Sequence, residues 1–251
     1  MSEADDSPIT VFPEGEKAPR ISIVIPVYNE QAILHAAVVD LRERLAPFGW
    51  SYEIILAENG SRDETLVIAE ELHKKYPEVR FFSMGEPNYG GAMRRGIEVA
   101  RGELVICDEI DLCDTDFHRH AVELLSTGKF DMVIGSKLTA GSHDDRPWAR
   151  HAASQIYTGM LRVTLGFQGT DTHGLKAFVR KPLLPIAREC LVEKDVFASE
   201  FVIRAYRAGL RVREIPIRVL EKRTPSINLV RRVPNVLKSL AKLTWAIRVG
   251  R

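Results

Sequence analysis

The chain has 251 residues, 45% hydrophobic and 27% charged, with a formal net charge of +1; this is the balance of a folded globular protein and excludes a disordered polymer or a bundle of membrane spans. A chain of this length removes roughly 70 to 75% of its unfolded surface from water, so its core needs no covalent or metal staple. The three cysteines, Cys107, Cys113 and Cys190, form no CxxC pair and argue for a reducing compartment over a disulfide framework or a thiolate zinc site.

Residues 1–20 are acidic, punctuated by proline and without an apolar run, so they read as a disordered acidic leader and not as targeting sequence. An apolar strand over 21–27 and a helix over about 29–46 follow. Residues 54–57 form a second strand, and Ser61-Arg-Asp-Glu64 is expected to be a capping box for a helix running to about Lys75. The alternation continues with a strand at 79–84, a helix at 91–100, a strand at 103–107, a helix at 116–126 and a strand at 130–135. Such a series predicts a mostly parallel sheet with helices on both faces. Beyond Gly135 the rhythm breaks, leaving helices near 150–165 and 198–208 and a strand over 212–219. No linker, repeat or low-complexity tract divides the chain, so 21–228 is expected to be one domain, followed by a basic helix over 229–251.

Parallel sheets bind ligands beyond the carboxyl ends of their strands. Here those positions hold Tyr28-Asn29-Glu30, Glu58-Asn59-Gly60-Ser61 and Asp108-Glu109-Ile110-Asp111. Three acidic clusters on one rim would repel a nucleoside diphosphate unless a cation intervened. Oxygen ligands at i and i+2 suit Mg2+ or Mn2+, which could bridge protein and diphosphate. No GxGxxG follows the first strand, and neither GxxxxGK[ST] nor GxSxG occurs, which leaves dinucleotide, P-loop and serine-hydrolase readings without support.

The segments SIVIPVYNE (22–30), AENGSRDET (57–65), PNYGGAMRRG (87–96) and ARGELVICDEIDL (100–112) resemble, in order, the signatures of family 2 glycosyltransferases with the GT-A fold. DMVIGSKL (131–138), TDTHGLKAF (170–178) and residues 199–226 are similar to the polyprenyl-phosphate, dolichyl-phosphate mannose synthase-like branch. The resemblance implies an α/β, Rossmann-like GT-A domain, to which the residue pattern given below adds a C-terminal amphipathic helix. It also implies that Pro26, Tyr28 and Glu30 line a nucleoside pocket, that Glu58 bonds the base and that Arg94 approaches the donor. Glu109 and Asp111 would be the DXD-type pair at the metal and the catalytic centre. The chain departs from the pattern in three places: glutamate stands for the first aspartate, with Asp108 offering a third metal ligand or a shifted register; Asn59 stands for an aspartate; and the glycine-rich turn is short and lacks its usual lysine.

On the acceptor side the resemblance places Lys137, Arg150, Ser154 and Arg223 around a lipid phosphate. An ionised phosphate attacks an anomeric carbon without a general base, whereas a hydroxyl acceptor needs one, for which Asp195 or Glu200 would serve. His118 and His173 are further candidates to approach the metal. From Arg204 onward thirteen Lys or Arg face two acids, a net +11 against −10 for the rest, and Val233, Val236, Leu237, Leu240, Leu243 and Ile247 fall on one helical face with Arg231, Lys238 and Lys242 opposite. The expected activity is inverting, metal-dependent transfer of mannose or glucose from a GDP- or UDP-hexose to polyprenyl phosphate, in the cytoplasm and peripheral at the inner face of the membrane. A saccharide acceptor and a silent nucleotide-sugar binding module are the alternatives. The acidic rim argues against nucleic acid.

Overall fold

A computed structural model describes residues 17–139, 143–144, 148–191, 196–219 and 229–248; most of the expected leader, Asp195 and Arg223 lie outside them. Valine- and isoleucine-rich runs form β1 (Ile21–Val27), β2 (Tyr52–Glu58), β3 (Val79–Ser83) and β4 (Leu104–Cys107), with α1 (Leu34–Leu45), α2 (Thr65–Lys75) and α3 (Tyr89–Val99) between them. There follow α4 (Thr115–Ser126), β5 (Met132–Ser136), β6 (His143–Asp144), α5 (Trp148–Leu165), β7 (Lys176–Val179) and α6 (Arg180–Glu189). The last elements are α7 (Phe197–Arg207), β8 (Val212–Pro216), β9 (Arg218–Val219) and α8 (Leu229–Arg248).

The main sheet has the order β3-β2-β1-β4-β7-β5-β8, parallel except for β7, which runs antiparallel to β4 and β5; β6 and β9 pair separately. Alternate side chains feed two cores. Ile21, Ile23, Ile25 and Val27 of β1 pack beneath α1, α2 and α4, whereas Val24 joins the core made with α3, α5, α6, α7 and α8. Residues two apart on a strand share a face, which is why a nearly continuous apolar run serves both sides.

At the amino ends of the strands Glu53 is fully buried and holds the sheet together. Its Oε1 accepts from Ser22 Oγ (2.6 Å) and Arg101 N (2.9 Å), and its Oε2 accepts from Arg80 Nη1 (3.0 Å). The opposite, carboxyl ends are therefore the ones left for ligands.

The second half differs from expectation. KAFV forms β7 and residues 180–189 form α6, neither foreseen from the sequence, because four residues carry too short a period to show a strand's direction. The capping box does not form. Ser61 Oγ accepts instead from Asn29 N (2.9 Å), Glu64 is the N-cap residue with no side-chain bond, and Asp63 Oδ1 takes the Thr65 amide (3.0 Å). The expected amphipathic helix is present as α8, with Leu240 and Leu243 buried on the domain and Lys238, Lys242 and Trp245 exposed. Arg204 and Arg207 of α7 donate to the carbonyls of Ala246 and Ile247, each at 3.1 Å. No helix among the described residues is long and apolar enough to cross a membrane.

Candidate active site

The order β3-β2-β1-β4, with connections leaving in opposite directions from β1 and β4, opens a crevice at the carboxyl edge where those two strands part. Backbone geometry draws the loops together there: Asp108 N donates to Val24 O and Asn59 N to Val27 O.

Pro26 is buried within β1, and Tyr28 is exposed just beyond it. Asn29 takes a left-handed conformation (φ 53°), and its Oδ1 accepts from Arg62 N (2.9 Å). Glu30 N donates to Thr65 Oγ1 (2.7 Å), and Gln31 exchanges bonds with Asp63 and Glu64. The first and second strand-end loops are thus laced into one wall. Gly60 (φ 71°) sits in that wall with its Cα against the backbone of Glu86, where a Cβ would lie 2.7 Å away, so only glycine fits.

Glu58 is turned inward. It is 1% exposed, its Oε1 accepts from Ser61 N (2.5 Å) and its Oε2 from Ser83 Oγ; to read a nucleobase it would have to exchange or share one of these bonds. Asn59, where an aspartate was expected, accepts from Asn88 N (2.5 Å) and so ties β2 to the start of α3. Arg94 directs Nη1 to the carbonyl of Cys190 (3.2 Å) at the end of α6.

The acidic motif resolves into two parts. Asp108 is buried, its Oδ1 accepting from Glu109 N (2.7 Å) and its Oδ2 meeting His118 Nε2 (2.5 Å). These bonds fix the orientation of its carboxylate, which also lines the cavity beside Glu109. The fully buried His118 engages Asp108 and braces the turn. Glu109 and Asp111 remain at the rim, on a tight turn in which Glu109 O accepts from the amides of Leu112 and Cys113 (3.0 and 3.1 Å). Solvent reaches Glu109 in a crowded recess. That crowding, and then the negative charge of Asp111, hold its carboxyl above the usual range.

Among the described residues no group of three His, Cys, Asp or Glu is arranged to hold a metal. The donor set still fits a hard divalent cation: two carboxylates two residues apart, one raised by the other's charge, are relieved by a cation whose other ligands come from substrate phosphate or water.

Beneath Glu109 lies a cavity of about 220 Å³, walled by Met93, Ile97, Phe197 and Phe201 and edged by Tyr89, His173 and Lys176. Crowding in the recess, then the charge of Glu109, raises the Tyr89 hydroxyl above its ordinary range although the ring is partly exposed. His173 is fixed by its amide bond to Asp171 Oδ1 (2.8 Å), by Thr172 Oγ1 (3.2 Å) and by the Tyr157 ring at 5.4 Å.

Of the acceptor-side candidates, Lys137 holds its Nζ 3.6 Å from Asp171 Oδ2. Burial raises the Asp171 carboxyl, but Lys137, the His173 amide and nearby cations overcome it and hold Asp171 below the usual range. Ser154 is half-buried on α5. Arg150 lies on the same helix, its side chain outside the described residues, as is Arg223. Glu200 is corrected as a candidate base: it is fully buried, takes the Leu191 amide (3.0 Å) and pairs with Arg204 at 2.8 Å, which joins the α6–α7 connection to α7 and keeps it from any acceptor. Lys176 was missed. Its one sequence signal is a lysine two residues before Phe178 in a short apolar strand, which puts a charge on a core-facing position.

The glycosyl transferase family 2 profile matches residues 22–185. The chain is 30% identical over 234 residues to Glycosyltransferase AglD of Haloferax volcanii, covering 91% of this chain and 38% of that protein. It is 27% identical over 214 residues to a dolichyl-phosphate beta-glucosyltransferase of Trichomonas vaginalis, covering 78% and 64%. It thus spans less than two thirds of either relative. In fold it is similar to glucosyl-3-phosphoglycerate synthase from Mycobacterium tuberculosis, solved with Mn2+, UDP-glucose and phosphoglyceric acid (TM-score 0.63, 19% identity, 90% of this chain and 80% of that one). A mannosyltransferase from Pyrobaculum calidifontis, solved with GDP-Man and Mn2+, gives a TM-score of 0.54 at 18% identity, covering 96% and 75%. The expected GT-A architecture is borne out.

Proposed function

This chain belongs to glycosyl transferase family 2, and we propose that it is an inverting, metal-dependent hexosyltransferase that moves mannose or glucose from a nucleoside-diphosphate sugar to polyprenyl phosphate. The observation that carries this reading is the Glu109–Asp111 pair at the β1/β4 crevice, with Glu109 on the wall of a cavity that His173 and Lys176 also line. The names of the relatives, one a dolichyl-phosphate beta-glucosyltransferase, and of the fold neighbours, solved with UDP-glucose or GDP-Man and Mn2+, support it.

In this mechanism Tyr28, Glu30 and the laced loops hold the nucleoside, and Glu109 and Asp111 hold Mg2+ or Mn2+. The bound cation would neutralise the charge that develops on the leaving diphosphate. A phosphate oxygen of the acceptor forms the new bond to the anomeric carbon as the bond to the diphosphate oxygen breaks, so the configuration inverts. No proton is removed in this step, and the chain's task is to hold an anionic nucleophile in line, for which Lys137, Arg150, Ser154 and Arg223 are the proposed groups. For a hydroxyl acceptor Glu200 is sealed off, which leaves Asp195 as the candidate base. Exposed Lys238, Lys242 and Trp245 on α8 support peripheral contact with an anionic bilayer.

The test is transfer from radiolabelled GDP- and UDP-sugars to polyprenyl phosphate with Mn2+ or Mg2+, beside an Asp111→Ala control. An alkali-stable, mild-acid-labile labelled lipid that disappears in the control is the expected product. Donor binding with no lipid product from any sugar would redirect the assignment to a hydroxyl acceptor or a silent binding module.

A further inference from the structure

Lys176 is a charged residue in a core position. β7 lies between β4 and β5, with Lys176 opposite Cys107 on one side and Ile134 on the other, and it shares a face with Phe178, which packs in the core under α3, α6 and α7. Its side chain is only 7% exposed and borders the cavity beneath Glu109.

What the ammonium lacks is a direct ion pair: burial disfavours its charge, and Asp171 and Glu109 favour it only from a distance. Its Nζ donates to the Gly174 carbonyl at 2.7 Å, and among the described residues no carboxylate lies within ion-pair distance. By contrast Asp171, the nearest acid of the acceptor side, is paired with Lys137. A buried ion left without a partner is costly, and a lysine ammonium carries three donors, of which the carbonyl takes one. Its aim is also fixed. Gly174 is pressed so closely on β5 that a Cβ there would fall 1.7 Å from the Gly135 carbonyl oxygen, and the Gly135 amide donates to Leu175 O at 2.8 Å; the carbonyl that orients Nζ cannot drift.

We propose that Lys176 is a substrate-binding residue of this site, whose ammonium takes up a phosphoryl oxygen entering the cavity beneath Glu109. The apolar wall of Met93, Ile97, Phe197 and Phe201 lowers the local dielectric, so this contact is stronger than the same pair in water. The phosphoryl oxygen has two sources, the donor's diphosphate and the acceptor's phosphate. The inference deepens the glycosyl-transfer reading and rests on it for the identity of those two groups.

The experiment compares Lys176→Met and Lys176→Arg with the wild-type protein, using thermal melts without ligand and calorimetric titration with two probes: UDP or GDP with Mn2+ for the donor side, inorganic phosphate for the acceptor side. Removing a cation kept for a ligand leaves the ligand-free protein as stable as wild type or more so, and weakens one probe at least 10-fold while Lys176→Arg retains most of the affinity. A loss confined to the nucleotides assigns Lys176 to the donor diphosphate; a loss confined to phosphate assigns it to the acceptor. Affinities for both probes within twofold of wild type overturn the proposal, as does a Lys176→Met protein that fails to fold, since either result makes the ammonium a structural strut. Neither titration requires turnover. Loss of anion binding in a protein that transfers no sugar would leave Lys176 assigned and the glycosyl-transfer reading refuted, whereas full transfer by Lys176→Met would refute only the role of Lys176.

Discussion

The half of the sheet built from β1 to β4 and the half built from β5 to β8 make their ligand edges in opposite ways. In the first, side chains at the strand ends bond to one another: Asn29 to Ser61 and Arg62, Glu30 to Thr65, Glu58 to Ser61 and Ser83, Asn59 to Asn88. That wall is complete before any ligand arrives. In the second, the reversed strand β7 brings His173, Gly174 and Lys176 to the rim with a buried cation that has no carboxylate partner among the described residues. The contrast separates a preformed surface, which recognises by shape, from one that stores unfavourable electrostatic energy for a ligand to release. Their anchors differ likewise: the first half is held at its base by buried Glu53, the second at its edge by the exposed fork of Arg211 on Asp131.

Five substitutions or conditions would sharpen or break this contrast. Asp111→Ala removes one of two rim carboxylates and is expected to lower transfer by about a thousandfold, roughly 4 kcal/mol of barrier, with the melting temperature unchanged or higher because Glu109 loses a like-charged neighbour; a large fall in stability would show the motif to be structural. Glu53→Gln leaves Arg80 buried without its counter-ion and should cost about 3 kcal/mol in denaturant unfolding, while transfer measured well below the melting temperature stays near wild type. His118→Ala is expected to weaken Mn2+ binding about 10-fold through the Asp108 brace without touching the metal, which calorimetry with the metal alone would register.

The pH response follows from Glu109. Its carboxyl is raised in the folded state, so the folded protein holds that proton more tightly than the unfolded chain, and the resulting stability is lost as pH rises through the raised folded value. Melts taken upward in pH from the ordinary carboxylate range should show this loss, and added Mn2+ should reverse it; Mn2+ affinity itself should fall as the solution is acidified through the same value. The smallest effect belongs to Asp131→Asn. The bond from Arg211 lowers the Asp131 carboxyl, so its contribution is present above the unfolded carboxylate range and disappears as pH falls through the lowered value; the variant should melt slightly earlier at neutral pH and no differently in strong acid.

The two halves were also unequally legible. Long Val/Ile runs followed by polar clusters marked β1, β2 and β4, and the spacing of Glu109 and Asp111 marked the rim, because strand period and carboxylate chemistry are local properties. What could not be read depended on partners distant in sequence. Ser61 looked like a helix cap until Asn29, thirty-two residues earlier, claimed its oxygen. The bond from Asp108 to His118, ten residues on, was not visible in the pattern, and Glu200 looked like a base until Arg204 engaged it. β7 and α6 escaped because a four-residue strand has no readable direction and α6 contains Pro185, and with β7 went the significance of Lys176.

The attachment of α8 gives α7 two duties. Arg204 and Arg207 grip the final turn of α8 through its carbonyls, and seven residues earlier on the same helix Phe197 forms part of the cavity wall. An eleven-residue helix is stiff over its length of about 16 Å. One stiff helix therefore carries the grip on the last turn of α8 at one end and a side chain of the cavity wall at the other, so that the C-terminal helix and the cavity share a single support.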